Sequence, residues 1–309
     1  MDMTTRVGSV GLRNPVMTAS GTAGHGAELA AHVDLAAIGA VVVKSLSVEP
    51  WPGNPPPRVH ETAAGMINSV GLQGPGVARW LADELPPLLD TGATVVASIW
   101  GRTVDEFGAA AAALSGAPGA VVAVEVNLSC PNLEPGPGAA RHEMFAQRPE
   151  SAAAAIDAAR ACGRPMWAKL TPAVADVVAI ADAVRDAGAE AVTLVNTVPA
   201  LAIDPETRRP RLGGAGGGLS GPAIHPIAVR AVHDVHVARP DLPVVGVGGV
   251  ASASDVVELL LAGASAVQVG TASFADPRAV GRIARDLETW CRNRHVPAVT
   301  DLIGAVHAC

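Results

Sequence analysis

The run Val124-Glu125-Val126-Asn127-Leu128-Ser129-Cys130-Pro131-Asn132 places two carboxamides and a thiol within six residues of one another. A carboxamide both donates and accepts, so a pair of them suits a ligand with amide and carboxylate edges. The thiol is the group there whose acidity can be tuned for proton transfer near neutrality. On residue type alone Cys130 reads first as a small buried hydrophobe, the commoner state of a free cysteine. Two lysines raise the same question. Lys44 follows the apolar stretch before Ser45, and Lys169 ends Trp167-Ala168-Lys169. A lysine closing an apolar strand is costly to bury unless it meets an anion, although a single one can snorkel to the surface. Two glycine tips complete the set, Val247-Gly248-Gly249 and Val269-Gly270-Thr271, each followed by helix-starting residues. Bare backbone N–H groups at such places cradle a phosphate, while the alternative is a pair of tight turns.

These residues need strands to position them, and the chain supplies apolar runs in a regular rhythm. Strands are expected at 15–20, 40–45, 94–99, 121–129, 166–170, 191–196, 243–248 and 266–270. Helices are expected at 77–89, 103–114, 149–161, 173–187, 224–238 and 252–262, with a small hairpin over 6–13 before the first strand. Strands this apolar, without alternation, are buried on both faces, as in a parallel sheet. Eight βα units in 309 residues predict an α/β TIM (β/α)8 barrel forming one domain over 1–309, with a doubly wound open sheet as the second choice. Inserts at 48–69, 131–148 and 198–220 each follow a strand, which puts them at the C-terminal face, where barrel enzymes keep their sites. On this layout Ser20, Lys44, Ser45, Cys130, Lys169, Asn196 and Thr197 ring one mouth, facing Gly248, Gly249, Gly270 and Thr271.

Composition narrows the function. Net charge is −7, there is no Tyr, and aromatics make up 3%, so neither a basic face nor a stacking platform for nucleic acid is present. Cys130, Cys162, Cys291 and Cys309 lie far apart without a CxxC or Cys/His ligand spacing, so no iron–sulfur or zinc site is encoded locally, and the usage suits a reducing, cytoplasmic setting. No apolar N-terminal segment or membrane span is read from the chain. Gly216, Gly218 and Gly221 fit GxGxxG, and Gly246, Gly248 and Ala251 fit GxGxxA. The first has no strand leading directly into it and the second has no acidic residue on the next strand, so neither is read as an NAD site. His233 and His236 read as a solvated helix face, and Cys162 and Cys291 as packing residues.

Taken together, Lys44-Ser45, Pro52-Gly53-Asn54-Pro55-Pro56-Pro57-Arg58, Asn68-Ser69-Val70-Gly71-Leu72, Asn127 to Asn132, Gly218-Leu219-Ser220-Gly221-Pro222-Ala223-Ile224 and the two glycine tips resemble class 1 dihydroorotate dehydrogenase, type 1B catalytic subunit. The resemblance spans the whole barrel. It implies FMN as cofactor and dihydroorotate, oxidised to orotate in pyrimidine synthesis, as substrate. It makes Cys130 the base that removes the C5 proton while hydride leaves C6 for flavin N5. Substrate positions would be Lys44, Asn68, Ser69, Val70, Gly71, Leu72, Asn127, Asn132, Asn196 and Thr197. FMN positions would be Ser20, Lys44, Ser45, Ser98, Asn127, Lys169, Val195, Gly221, Gly248, Gly249, Gly270 and Thr271. The chain departs from the family pattern at Ser98, where an Asn is usual, and in the lid 133–138. Type 1B enzymes work with a second subunit carrying FAD and a [2Fe–2S] cluster, and a homodimer core or heterotetramer would follow. The alternatives are a dihydropyrimidine dehydrogenase-like flavoenzyme, whose substrate lacks the carboxylate that Lys44 would meet, a flavin binder without turnover, and a non-redox phosphate-binding barrel.

Overall fold

Apolar runs do form parallel staves, of two to seven residues. The computed structural model describes residues 1–131, 143–214 and 216–308. In chain order the strands are a hairpin, β1 (Thr5–Val7) and β2 (Val10–Leu12); two staves, β3 (Val16–Thr18) and β4 (Val41–Val42); a second hairpin, β5 (Val59–Thr62) and β6 (Gly65–Asn68); and staves β7 (Val95–Ile99), β8 (Val121–Asn127), β9 (Met166–Lys169) and β10 (Ala191–Leu194). An insert of short strands follows, β11 (Val198–Ala200), β12 (Ile203–Asp204), β13 (Arg209–Pro210) and β14 (Gly217–Ser220), before staves β15 (Val244–Val247) and β16 (Ala264–Val269).

The eight staves run parallel in the order β3-β16-β15-β10-β9-β8-β7-β4. The two end staves then meet. Gly39 N–H donates to Val16 O at 2.8 Å and Thr18 N–H to Ala40 O at 3.2 Å. The Thr18 hydroxyl takes over the next rung, accepting from Val42 N–H at 2.9 Å and donating to Val42 O at 3.3 Å. With its seam closed in this way the sheet is a TIM barrel.

Strand period two decides what fills the barrel. Alternate stave residues Met17, Val42, Val96, Ala123, Trp167, Ala191, Val245 and Ala266 pack with Val7, Val10 and Leu12 in one apolar cluster, so the β1–β2 hairpin plugs the floor. Two residues further along the same faces come Ser98, Glu125, Lys169, Thr193 and Gln268, all buried. A polar layer thus sits on an apolar one, and the intervening residues pack outward against the helices.

Caps set several helix boundaries. Thr103 accepts from Glu106 N–H at 3.2 Å and starts Val104–Ala113, while Ser252 and Asp255 form a capping box for Ala253–Ala262. The helix expected from 173 starts only at Val177, because Asp176 accepts from the N–H groups of Val178 and Ala179, both at 3.0 Å. The expected 77–89 helix is broken by a π turn over Trp80–Glu84, followed by Pro86 and Pro87, which offer no N–H to an unbroken ladder. Among the described residues no helix is long and apolar enough to cross a membrane.

The first and third inserts, separate in sequence, join over the barrel mouth. They form an antiparallel sheet in the order β11-β14-β6-β5, with Gly218 opposite Asn68 and Leu219 opposite Val198. Gly217 and Gly218 permit this approach, since a Cβ on either would run into the Asn68 carbonyl or the Thr197 side chain. Most of the second insert, with the 133–138 lid, lies outside the described residues.

Candidate active site

Stave β8 stops at Asn127, and the chain turns through Leu128 and Ser129 to Cys130, which is half-buried. The turn is braced from three staves. Asn127 Nδ2 donates to Ser45 Oγ at 3.0 Å, and the Ser45 and Ser98 hydroxyls share a hydrogen bond of 2.8 Å. Asn127 Oδ1 faces Ser129 N–H, the Ser129 hydroxyl and Asn196 Nδ2, each at 3.3 Å. Asn196 Nδ2 also donates to the Ser129 carbonyl at 3.0 Å and its hydroxyl at 2.9 Å. Ser129 is the brace that the sequence reading passed over.

Lys169 points into the barrel at the tip of β9. Its Nζ donates to Ser20 Oγ at 3.1 Å and lies 3.7 Å from Glu125 Oε1. Lys44 is half-buried, and among the described residues no carboxylate stands within ion-pair distance of it. Burial, with Arg58 adding repulsion, holds its ammonium below the ordinary lysine value. Nearby His25 is pushed down to about 4, chiefly by burial and then by Lys44.

The loop 68–72 is tied from outside. Asn54 N–H donates to Val70 O at 3.0 Å, and Trp51 Nε1 donates to Gly71 O at 3.0 Å. Trp51 in turn meets buried Trp100 edge-on, with ring centroids 5.9 Å apart, beneath the Arg102 guanidinium. Trp100, bulky at the tip of β7, therefore anchors the first insert.

Opposite these side chains lie the glycines. Gly221, Gly248 and Gly249 have φ of +94°, +141° and +70°. A Cβ on Gly249 would stand 2.6 Å from His225 Cβ and 2.9 Å from Gly221 O, so the turns are closed to other residues. His225 pins this end, with Nδ1 2.8 Å from Gly248 O and Nε2 3.1 Å from Glu258. Thr271 Oγ1 donates to Ser220 Oγ at 2.8 Å. A strand, β14, does lead into Gly221, contrary to the sequence reading. It belongs to the antiparallel insert sheet, not to a βαβ unit, so the dinucleotide fingerprint still lacks its structural setting.

Many of these residues border one cleft, whose empty space of about 1040 Å³ includes its open mouth. Ser20, Lys44, Ser45, Asn68, Val70, Gly71, Leu72, Asn127, Cys130, Lys169, Val195, Asn196, Thr197, Gly221, Gly248, Gly249, Gly270 and Thr271 all line it. Ser98 and Ser69 are buried and do not line the cleft; Ser98 bonds the lining Ser45 and Ser69 bonds Asn54 Nδ2. Asn132 lies outside the described residues, as does Cys309. Ser220, from the Gly218–Ile224 motif, and the 59% exposed Phe274, which no sequence motif announced, also border the cleft.

Away from the cleft, the face of His233 and His236 is partly covered, with the His233 side chain still 45% exposed. Both rings pack on His307, with centroids 4.7 and 5.3 Å away. Among the described residues no group of three or more His, Cys, Asp or Glu side chains is arranged to hold a metal ion. Cys162 and Cys291 are buried, and burial raises both thiols, which suits packing residues.

A barrel with a thiol and two lysines on one side of its mouth and glycine turns on the other defines the class, a TIM-barrel enzyme. Comparison with known proteins narrows it. The sequence model of the dihydroorotate dehydrogenase family matches residues 2–290. The dihydroorotate dehydrogenase B (NAD(+)) catalytic subunit of Geobacter sp. (strain M21) is 46% identical over 312 residues, covering 99% of this chain and 98% of that protein. The protein of the same name from Desulforudis audaxviator is 48% identical over 297 residues, covering 96% and 94%. The chain belongs to the dihydroorotate dehydrogenase family, in its type 1B branch.

Proposed function

We propose that the chain is the catalytic subunit of an FMN-dependent enzyme that oxidises dihydroorotate to orotate in pyrimidine synthesis. The observation that carries the reading is one cleft holding Cys130, a lysine with no carboxylate partner among the described residues, and a set of glycine turns. The cradle of Gly221, Gly248, Gly249, Gly270 and Thr271 fits a phosphate, because Gly221, Gly248 and Gly249 hold positive φ where a Cβ would strike Gly65, Ala228 or His225, so their backbone N–H groups stay bare. Ser20, Ser45, Asn127, Lys169 and Val195 would hold the rest of the cofactor, within a single FMN-binding barrel domain. When bound, FMN supplies the acceptor for the hydride that leaves substrate C6.

The chain's own residues do the remainder. Lys44 meets the substrate carboxylate, which satisfies an otherwise costly half-buried charge. Asn68, Asn127, Asn196 and the backbone of 70–72 orient the ring by hydrogen bonding, with Asn132 and Thr197 beside them. Cys130 removes the C5 proton as general base. Lys169 places positive charge where reduction builds negative charge. Lys44 also favours dihydroorotate over dihydrouracil, which has no carboxylate to meet it.

The designation of the relatives as catalytic subunits supports a partner polypeptide carrying FAD and a [2Fe–2S] cluster that passes electrons to NAD. A homodimer of barrels flanked by two such subunits, in the cytoplasm, is the assembly we propose. The test is to release and identify the flavin of the purified protein and to follow orotate formation from dihydroorotate with an artificial acceptor. FMN and orotate are expected. A colourless protein that takes up no FMN would favour a non-redox barrel, and a yellow one that forms no orotate would favour a binder without turnover.

A further inference from the structure

Behind Lys169, on the side away from the cleft, lies a carboxylate that the proposed reaction does not yet use. Glu125 is fully buried in the barrel, and the Lys169 side chain is 5% exposed. The two belong to adjacent staves, with Asn127 of β8 in register with Lys169 of β9 and Glu125 one inward position below. Glu125 Oε2 accepts from Gln268 Nε2 at 2.7 Å and from Thr193 Oγ1 at 3.1 Å. Those donors come from β16 and β10, so the carboxylate is clamped from across the barrel. Its other oxygen, Oε1, is left toward Lys169 Nζ at 3.7 Å. Among the described residues no second carboxylate lies within ion-pair distance of Lys169.

A carboxylate in this position is expensive unless it is paired and hydrogen-bonded, and removing one partner of a buried pair leaves the other charge uncompensated. Lys169 therefore has two fixed contacts, Ser20 at the cleft wall and Glu125 beneath. We propose that Glu125, clamped by Gln268 and Thr193, is a positioning residue that holds Lys169 as a charged donor aimed into the cleft. Glu125 does not border the cleft. The inference rests on the reading above that Lys169 faces the flavin.

Sulfite provides the test, because it adds to N5 of an oxidised flavin and leaves negative charge on the N1–C2 carbonyl side. Its affinity reads the charge that Lys169 delivers without involving dihydroorotate or Cys130. The FMN-loaded wild type, Glu125→Gln, Lys169→Met and the double variant are titrated with sulfite and followed by loss of flavin absorbance. Glu125→Gln is expected to weaken sulfite binding about tenfold or more, the scale of one buried charged contact. The double variant is expected to bind no more weakly than Lys169→Met, since Glu125 acts only through the lysine.

Wild-type affinity in Glu125→Gln, or losses that multiply in the double variant, would overturn the proposal. If Glu125→Gln does not fold, Gln268→Leu removes one clamp and keeps the charge. A smaller loss of sulfite affinity in that variant supports the proposal, and no loss overturns it. Failure of the wild type to take up FMN overturns the functional reading and this inference with it. FMN uptake with sulfite binding indifferent to Glu125 overturns the inference alone.

Discussion

Asn196 and Ser129 are joined twice, Asn196 Nδ2 lying 3.0 Å from the Ser129 carbonyl and 2.9 Å from its hydroxyl. Ser129 immediately precedes Cys130, so a side chain just beyond stave β10 fixes the turn that carries the thiol just beyond β8. Its Oδ1 is occupied by Thr197 N–H at 2.8 Å, which orients the amide. Asn196→Ala is expected to lower the rate of flavin reduction by dihydroorotate about 10- to 100-fold, the scale of a misplaced reacting group. FMN occupancy, read from absorbance, should be unchanged. Rapid-mixing kinetics at saturating dihydroorotate check this, and a wild-type rate would make the brace dispensable.

Lys44 gives the site a pH dependence whose direction follows from its burial. Its ammonium is held below the usual lysine value, so it loses its charge at lower pH than an exposed lysine does. An anionic ligand binds the charged form. Orotate affinity is therefore expected to fall as pH rises through that lowered value. Lys44→Met should weaken orotate by roughly 100-fold and abolish the alkaline limb. Flavin difference spectra with orotate across neutral to alkaline pH measure both effects.

Gly249 tests the anion cradle. With φ at +70° and His225 Cβ 2.6 Å from where a Cβ would stand, Gly249→Ala must move the turn. FMN affinity is expected to drop at least about 100-fold, from strain and displaced backbone donors together. Circular dichroism should retain the barrel signature, because the change lies at a stave tip. Unaltered FMN binding would remove these glycines from the cofactor site.

His25 links the mouth to acid stability. Its imidazole is pushed down to about 4 by burial and by Lys44, against about 6.5 in an unfolded chain. The folded state keeps it neutral, so stability is full above about pH 6.5 and is lost as pH falls from there through 4. His25→Gln is expected to lose stability less steeply over that window when Tm is followed by calorimetry. An identical slope in both proteins would show that other groups carry the acid response.

Much of this arrangement is legible in the sequence, for a physical reason. Staves buried on both faces leave unbroken apolar runs, and the residues that end those runs must face the barrel mouth. That logic places Lys44, Asn127, Lys169 and Asn196 correctly on the cleft wall. It does not reach residues whose role depends on pairing across long stretches of chain. Asn68 stands opposite Gly218 only because two inserts 150 positions apart share a sheet, and no local pattern announces that. Ser98 and Ser69 carry the right chemistry at the right height, yet they are buried, bonded to Ser45 and Asn54, and do not line the cleft. Glu125 had a signal. Period two puts it on the same face as Asn127, inside the barrel, where a carboxylate needs a partner.

The most direct test of the whole account is an anaerobic absorbance experiment on the FMN-loaded wild type and Cys130→Ala. Stoichiometric dihydroorotate is expected to bleach the wild-type flavin, while the variant stays yellow, with its flavin reduction slowed by at least about 100-fold. Bleaching of Cys130→Ala at the wild-type rate would contradict the assignment of Cys130 as the base.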